Sequence, residues 1–337
     1  MLIMCVVLVG QAFFPLDEQW NVHQTIYSEG VAQQMVWLSG LLPYEQCEWV
    51  FERIGERLIP ASSIWRQSQS HAERMRAHLE HQQTQVTVER VKLPAACHDH
   101  AQQKGVSMDG GMVNIREEGW KEMKVGTVFD VVLRLERELY TDELVEVAHA
   151  EKMQYVAVLG GVDQFASAFW ACAVEHNIPT ARECSVTADG ATWIWNIAAD
   201  YFPESQQIVD WYHATQHLAQ AALTLYPDDE KQRQRWYKQR QTDLFQGSIH
   251  TITTRLEQAG FPERALYFHT HQRRMQYQAF RDQGYPIGSG TVESGVKQFK
   301  SRLTGAGMRW SRPAAERMLV LRAAILSGRF DELWAAA

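Results

Sequence analysis

Between residues 105 and 225 the chain alternates β-type and helix-type apolar patterns. That alternation constrains the fold more than any other feature. "GVSMDGGMVNIRE" reads as a short β run broken by the Gly110–Gly111 pair. "KEMKVGTVFDVVLR" reads as a second run, so the two look like consecutive antiparallel strands. "TDELVEVAHAEKM" reads as a helix capped by Thr141, and "DQFASAFWACAVEHN" as an amphipathic helix with Phe165, Phe169 and Val174 inward. "ARECSVTADG" is a strand ending at Asp189, and "ATWIWNIAADYFP" a helix stopped at Pro203. "SQQIVDWYH" is a further strand, running into the helix "ATQHLAQAALTLY". Strands run first and then alternate with helices. A meander followed by alternation predicts an α/β fold with a mixed sheet covered by helices.

The flanks read as helical. "SEGVAQQMVWLSGLL" has Ser28 as its cap and Val31, Met35, Val36 and Leu38 on one face. "PYEQCEWVFERIGERL" offers Trp49, Val50, Ile54 and Leu58 as a stripe. "PASSIWRQSQSHAERMRAHLE" is a third helix, capped by Ser62 or Ser63. Three such helices form either a plain packing unit or a helix-turn-helix that binds DNA. "KLPAACHDHAQQKG" lacks a period and reads as a linker. From Tyr226 to about Arg281 the pattern is polar and helical with no strand signal, and "PAAERMLVLRAAILSG" is a buried helix carrying Met318, Leu319, Arg322 and Ile325. The expected division is residues 1–100 as an N-terminal helical region and 101–335 as a catalytic domain, with a helical insertion at about 226–283.

Charge is uneven. The 337 residues carry a net charge of -7, yet Arg264 to Arg329 holds 12 Lys/Arg against Asp282, Glu293 and Glu316. A basic segment on an acidic protein is a local footprint for phosphate, or else a solvated helical face. Five scattered cysteines without a C-x-x-C pair fit free thiols in a reducing compartment. The apolar start "MLIMCVVLVGQAFFPL" lacks a basic region and is too short for a membrane span. It reads as a buried strand or a shortened start, with a signal peptide as the minor option. Cytoplasm, without membrane association, is the default expectation.

Two aspartates stand at strand ends before glycine: Asp109 and Asp189. Alone, each is a turn former. On adjacent strands their carboxylates would emerge together and repel, which calls for a cation or a shared proton. Hard divalent cations suit such oxygens. In "IGSGTVESGVKQFKSRL", a helix starting at Ser289 or Thr291 turns Val292, Val296, Phe299 and Leu303 inward. Glu293, Lys297 and Lys300 then share a neighbouring face. Glu293 supplies a third acid and the lysines would hold phosphates; the plain alternative is an ordinary Glu–Lys helix pair. Acids holding two divalent metals beside basic residues suit in-line phosphoryl transfer. Asp210 in "VDWYH" is a reserve for the second acid. His213 and His217 are possible ligands, but more often such a pair lines a helix. Trp193 and Trp195 suit core packing, whereas Trp310 between Arg309 and Arg312 suits contact with DNA.

The segments "SMDGG", "GWKEMKVGTVF", "ADGATWIWNIAADYFP", "IVDWYHATQHL", "GSGTVESGVKQFKSRLTGAGMRWS" and "MLVLRAAILSGRFDELW" together resemble ISKra-type transposases of bacterial insertion sequences. "FFPLDEQW" and the helices after it resemble that family's N-terminal part, so the resemblance covers nearly the whole chain. It implies an RNase H-like five-stranded mixed sheet flanked by helices, with a helical insertion before the last catalytic helix. It also implies a DDE mechanism with Asp109, Asp189 and Glu293 as catalytic metal ligands, separated by 80 and 104 residues. The implied cofactors are two Mg²⁺ or Mn²⁺ ions. Lys300 stands seven residues after the glutamate, where many DDE transposases carry a lysine. Pro286 and Ser289 stand where the related upstream tyrosine and arginine signature would fall. Lys297, Lys300, Arg302, Arg309, Trp310 and Arg312 are the expected DNA contacts. Double-stranded DNA, as element ends and target, is the implied partner, with a homo-oligomer assembled on it. Family members carry a cysteine-rich, zinc-ribbon-like piece before the "FFPLDE" stretch, where this chain has only Cys5, so it reads as shortened at its N-terminus. The competing expectations are another RNase H-like nuclease, or a decayed or repurposed transposase that only binds DNA.

Overall fold

The computed structural model describes residues 6–8, 11–13, 27–86, 103–137 and 144–337. Two short strands, β1 (Val6–Leu8) and β2 (Gln11–Phe13), pair antiparallel. The chain otherwise divides into two compact units. One holds the described residues up to Leu79 together with Trp310–Ala337, and the other spans Glu80–Arg309.

The larger unit is a mixed α/β structure around one five-stranded sheet. Its strands are β3 (Gln103–Ile115), β4 (Gly119–Arg137), β5 (Leu144–Val158), β6 (Glu183–Ala188) and β7 (Gln206–Val209). They lie in the order β5-β4-β3-β6-β7. The β3–β4 and β4–β5 pairs are antiparallel, whereas β3–β6 and β6–β7 are parallel. The helices α4 (Val162–Glu175), α5 (Thr192–Tyr201) and α6 (Trp211–Leu225) alternate with the later strands. Then come α7 (Glu230–Phe245), α8 (Ile249–Gln258), α9 (Pro262–His271) and the short α10 (Tyr277–Asp282), the strand-free stretch expected there. Helix α11 (Gly290–Leu303) follows.

Both faces of the sheet are covered. On one face Val106, Met108 and Val128 bury against Phe165 and Phe169 of α4. On the other, α11 lies so close that a Cβ at Gly111 would sit 2.6 Å from Met123 Cε and 3.3 Å from Val296 Cγ1. Side chains alternate along a strand, so Asp109 shares the α11 face with Gly111. The α11 stripe of Val292, Val296, Phe299 and Leu303 is buried as expected.

Several local expectations are corrected. The "TDELVEVAHAEKM" segment is strand from Leu144 onward, while Thr141 lies outside the described residues. β5 is an edge strand, and its charges are matched across to β4 rather than along a helix: Arg134 pairs with Glu151, and Glu136 with His149 at 2.8 Å. The Gly110–Gly111 pair does not end its strand; β3 continues to Ile115. β7 stops at Val209, and Asp210 caps α6 instead of extending the strand.

The smaller unit contains α1 (Glu29–Leu41), α2 (Tyr44–Arg53), α3 (Ala61–Gln85, of which the part after Leu79 belongs to the larger unit), α12 (Arg312–Leu326) and α13 (Phe330–Ala336). α2 buries Cys47 and Phe51, not the expected stripe; Trp49, Ile54 and Leu58 are exposed. α3 begins at Ala61, whose N–H is taken by Glu48 Oε2 at 2.9 Å, so neither Ser62 nor Ser63 caps it. The described cysteines Cys47, Cys172 and Cys184 form no disulfide with one another. Among the described residues no helix is long and apolar enough to cross a membrane.

Candidate functional site

The parallel register brings three aspartates to one rim. Met108 pairs with Ala188, so Asp109 and Asp189 are the next residues on neighbouring strands. Ala188 in turn pairs with Val209, and the Asp210 N–H donates to the Ala188 carbonyl at 2.7 Å. Each aspartate also shapes its own turn. Asp109 Oδ1 accepts from Gly110 N at 2.6 Å, and Asp189 Oδ1 from Ala191 N at 2.9 Å. Gly190, between them, has φ +111°, a conformation that only glycine adopts without strain.

Asp210 is fully buried and serves two elements. Its Oδ1 accepts from His213 N at 2.8 Å, capping α6, and its Oδ2 accepts from Ser289 N at the start of α11. Trp211 N donates to Ile287 O at 2.9 Å beside it. One carboxylate therefore ties the exit of β7 to the turn that launches the Glu293 helix.

Glu293 occupies the first turn of α11. Its Oε1 accepts from Ser289 Oγ at 3.4 Å and faces His213 Nε2 at 4.0 Å, while Oε2 lies 3.8 Å from Lys297 Nζ. Ligand atoms of Asp210, His213 and Glu293 all lie within 4.8 Å of one another, so this group could hold a metal ion. Among the described residues no other set of three converges so closely. The expected set of Asp109, Asp189 and Glu293 does not converge to that distance. Burial pushes the Asp109 carboxyl above the usual aspartate range. The charges of Asp189 and Glu293 add to that push, against the pull of the Gly110 N–H and of His213. Carboxylate oxygens that repel one another fit a hard divalent cation.

The helical insertion also reaches this rim. Tyr267 of α9 stacks on His217, with ring centroids 3.6 Å apart, which gives His217 an aromatic partner and not a place in the metal group. Burial raises the Tyr267 phenol, and the negative charges of Asp189 and Asp210 raise it further.

The expected DNA-contact residues separate. Lys297 and Lys300 are exposed on α11, and Arg309 is exposed after it. Arg302 is 1 % exposed and Trp310 7 % exposed, so the fold uses both side chains internally. Arg312 belongs to the other unit, where it pairs with Glu316 at 3.6 Å. Sequence reasoning undervalued Asp210 and His213. The available signal was an Asp three residues before a His at a strand-to-helix junction, an N-cap that sets its own first turn at the rim. Compared with known proteins, the chain matches no family model and no curated sequence.

Proposed function

We propose that this chain is a DNA transposase of the ISKra type, with an RNase H-like catalytic domain and a DDE mechanism. The observation that carries the reading is the convergence of acids from distant parts of the chain. Asp109 and Asp189, 80 residues apart, follow the paired Met108 and Ala188 on neighbouring strands, and Glu293, 104 residues further on, stands in the first turn of α11, which packs on the face that Asp109 shares. The donor set fits Mg²⁺ or Mn²⁺, with Asp109, Asp189 and Glu293 as the holding residues. His213 and Asp210 stand beside Glu293 as further donors. Two such ions, when bound, supply activation of an attacking oxygen and charge stabilisation at a leaving oxygen.

The chain's own residues supply placement. Asp210 fixes the start of α11, and through it the position of Glu293. Lys297 and Lys300 offer cations on the same helix for phosphates of double-stranded DNA, contacts that position the duplex without reading its sequence. Hydrolysis at an element end frees a 3′-hydroxyl, and in strand transfer that hydroxyl attacks a phosphodiester of the target while the target's own 3′-oxygen leaves.

The test is a nicking and joining assay on DNA carrying the gene's own flanks, with Mg²⁺ or Mn²⁺. Asp109→Asn, Asp189→Asn and Glu293→Gln should each abolish cleavage with the circular dichroism spectrum unchanged. A variant that cuts normally removes its residue from the site. Cutting without joined products would replace the transposase by a nuclease.

A further inference from the structure

A polar cleft lies at the start of β7, the end of that strand opposite Asp210. It has a volume of about 510 Å³ and sits between the start of β7 and the turn that follows α9. Its lining includes Gln206, Gln207, His269, Gln272, Arg273 and Arg274, and none of the lining residues is acidic. His269 carries its own partner, Glu257, at 2.7 Å.

Arg274 is half-buried and has no ion-pair partner among the described residues. Its guanidinium lies 4.4 Å from the centroid of the Trp195 ring. Its Nε donates to Gln207 Oε1 at 2.8 Å, and Nη1 lies 3.3 Å from His271 Nδ1. Burial, then Arg274 itself, pushes the His271 imidazole down to about 4. None of these partners is a carboxylate. Neither Arg273 nor Arg274 has an ion-pair partner among the described residues. A partly desolvated guanidinium is normally compensated by a carboxylate. Here the Trp195 ring, the Gln207 carbonyl oxygen and the His271 ring nitrogen surround it, and its remaining N–H groups have no protein acceptor among the described residues. A preorganised arginine with an unused fork suits a phosphate.

We propose that this cleft binds phosphate and seats the backbone of a nucleic-acid strand, with Arg273 and Arg274 as its contacts. The volume would also admit a free nucleotide. Position favours the strand. The cleft opens at Gln206 and Gln207, and the rim begins at Asp210, the residue after the same strand. Four residues of strand span roughly 13 Å, about the rise of four nucleotides. A strand gripped at the cleft thus has a short path to the acids. The choice of a strand rests on the transposase reading; the phosphate chemistry does not.

The experiment measures fluorescence anisotropy of a labelled single strand and its duplex on the full chain. It is run in chelator across a salt series, with inorganic phosphate and AMP as competitors. Arg273→Glu and Arg274→Gln should each weaken DNA binding about tenfold and lower the salt slope by about one. Arg235→Glu, an exposed arginine elsewhere in the same unit, controls for net charge and should change little. Wild-type affinity and slope in both cleft variants would overturn the proposal. AMP binding that Arg274→Gln abolishes, with DNA binding untouched, would overturn the strand and assign the cleft to a free nucleotide. Arg273 is exposed, so its variant carries the test even if Arg274→Gln lowers the melting temperature. A wild-type protein that binds DNA through this cleft and nicks nothing would sink the transposase reading while leaving this one standing.

Discussion

Asp109 bears the electrostatic cost of the acid rim. Burial raises its carboxyl, and two neighbouring acids raise it further. A raised folded pKa means the folded chain holds the proton more tightly than the unfolded one. Stability is therefore lost as pH climbs from the ordinary aspartate value through the folded value, and stays lost above it. Asp109→Asn should then melt higher than wild type at neutral pH in chelator, and the gap should close on acidification below the aspartate range. Adding Mg²⁺ or Mn²⁺ should raise the wild-type midpoint and leave the variant's nearly unmoved. Equal midpoints in chelator would show that the rim carries no such strain. Asp109 and Asp189 were legible because Asp before Gly after an apolar run is a local signal. The role of Asp210 was not, because its second partner, Ser289, lies 79 residues away and no local pattern announces it.

At the scale of elements, the position of Glu293 depends on how closely α11 approaches the sheet. Gly295 makes that approach possible: a Cβ there would lie 2.5 Å from Tyr155 Cε1 on β5. The Tyr155 hydroxyl donates to Thr291 O at 3.3 Å, pinning the same first turns. Gly295→Ala should lift the helix and cost about 1–3 kcal/mol, the usual range for overpacking. Metal-dependent nicking should fall further than stability does, since Glu293 moves with the helix. The added Tyr155→Leu substitution should recover part of both losses, a non-additivity expected only of touching residues. Additive losses in the double variant would mean that this contact does not set the helix position. The α11 stripe was readable from its period, but its partner strand was not. β5 exposes one edge and carries charges matched across to β4, so residues 144–153 mimic the spacing of a polar helix.

For the whole molecule, the informative feature is that the two ends of the chain build one unit. Arg317 Nε of α12 meets Glu73 Oε2 at 2.5 Å, and its Nη1 reaches Gln69 at 3.3 Å. The buried Arg322 donates to the Gly40 carbonyl at 3.2 Å, and Trp334 of α13 stacks on His71 at 4.0 Å. These contacts join residues more than 240 positions apart. Helical periods report which face is apolar but not which distant helix will cover it, so a linear division near residue 100 left the C-terminal helices with the sheet. The helices α1 and α2, of 13 and 10 residues, are too short to persist without tertiary cover. A chain ending at Arg309 should therefore lose amide-exchange protection across 29–53 while the sheet strands keep theirs. If those helices stay protected in the truncated chain, the N-terminal helices suffice by themselves, and α12 and α13 are an addition to that unit and not its missing wall. If the strands lose protection too, the two units fold as one cooperative body, and the acid rim depends on helices that contribute no residue to it.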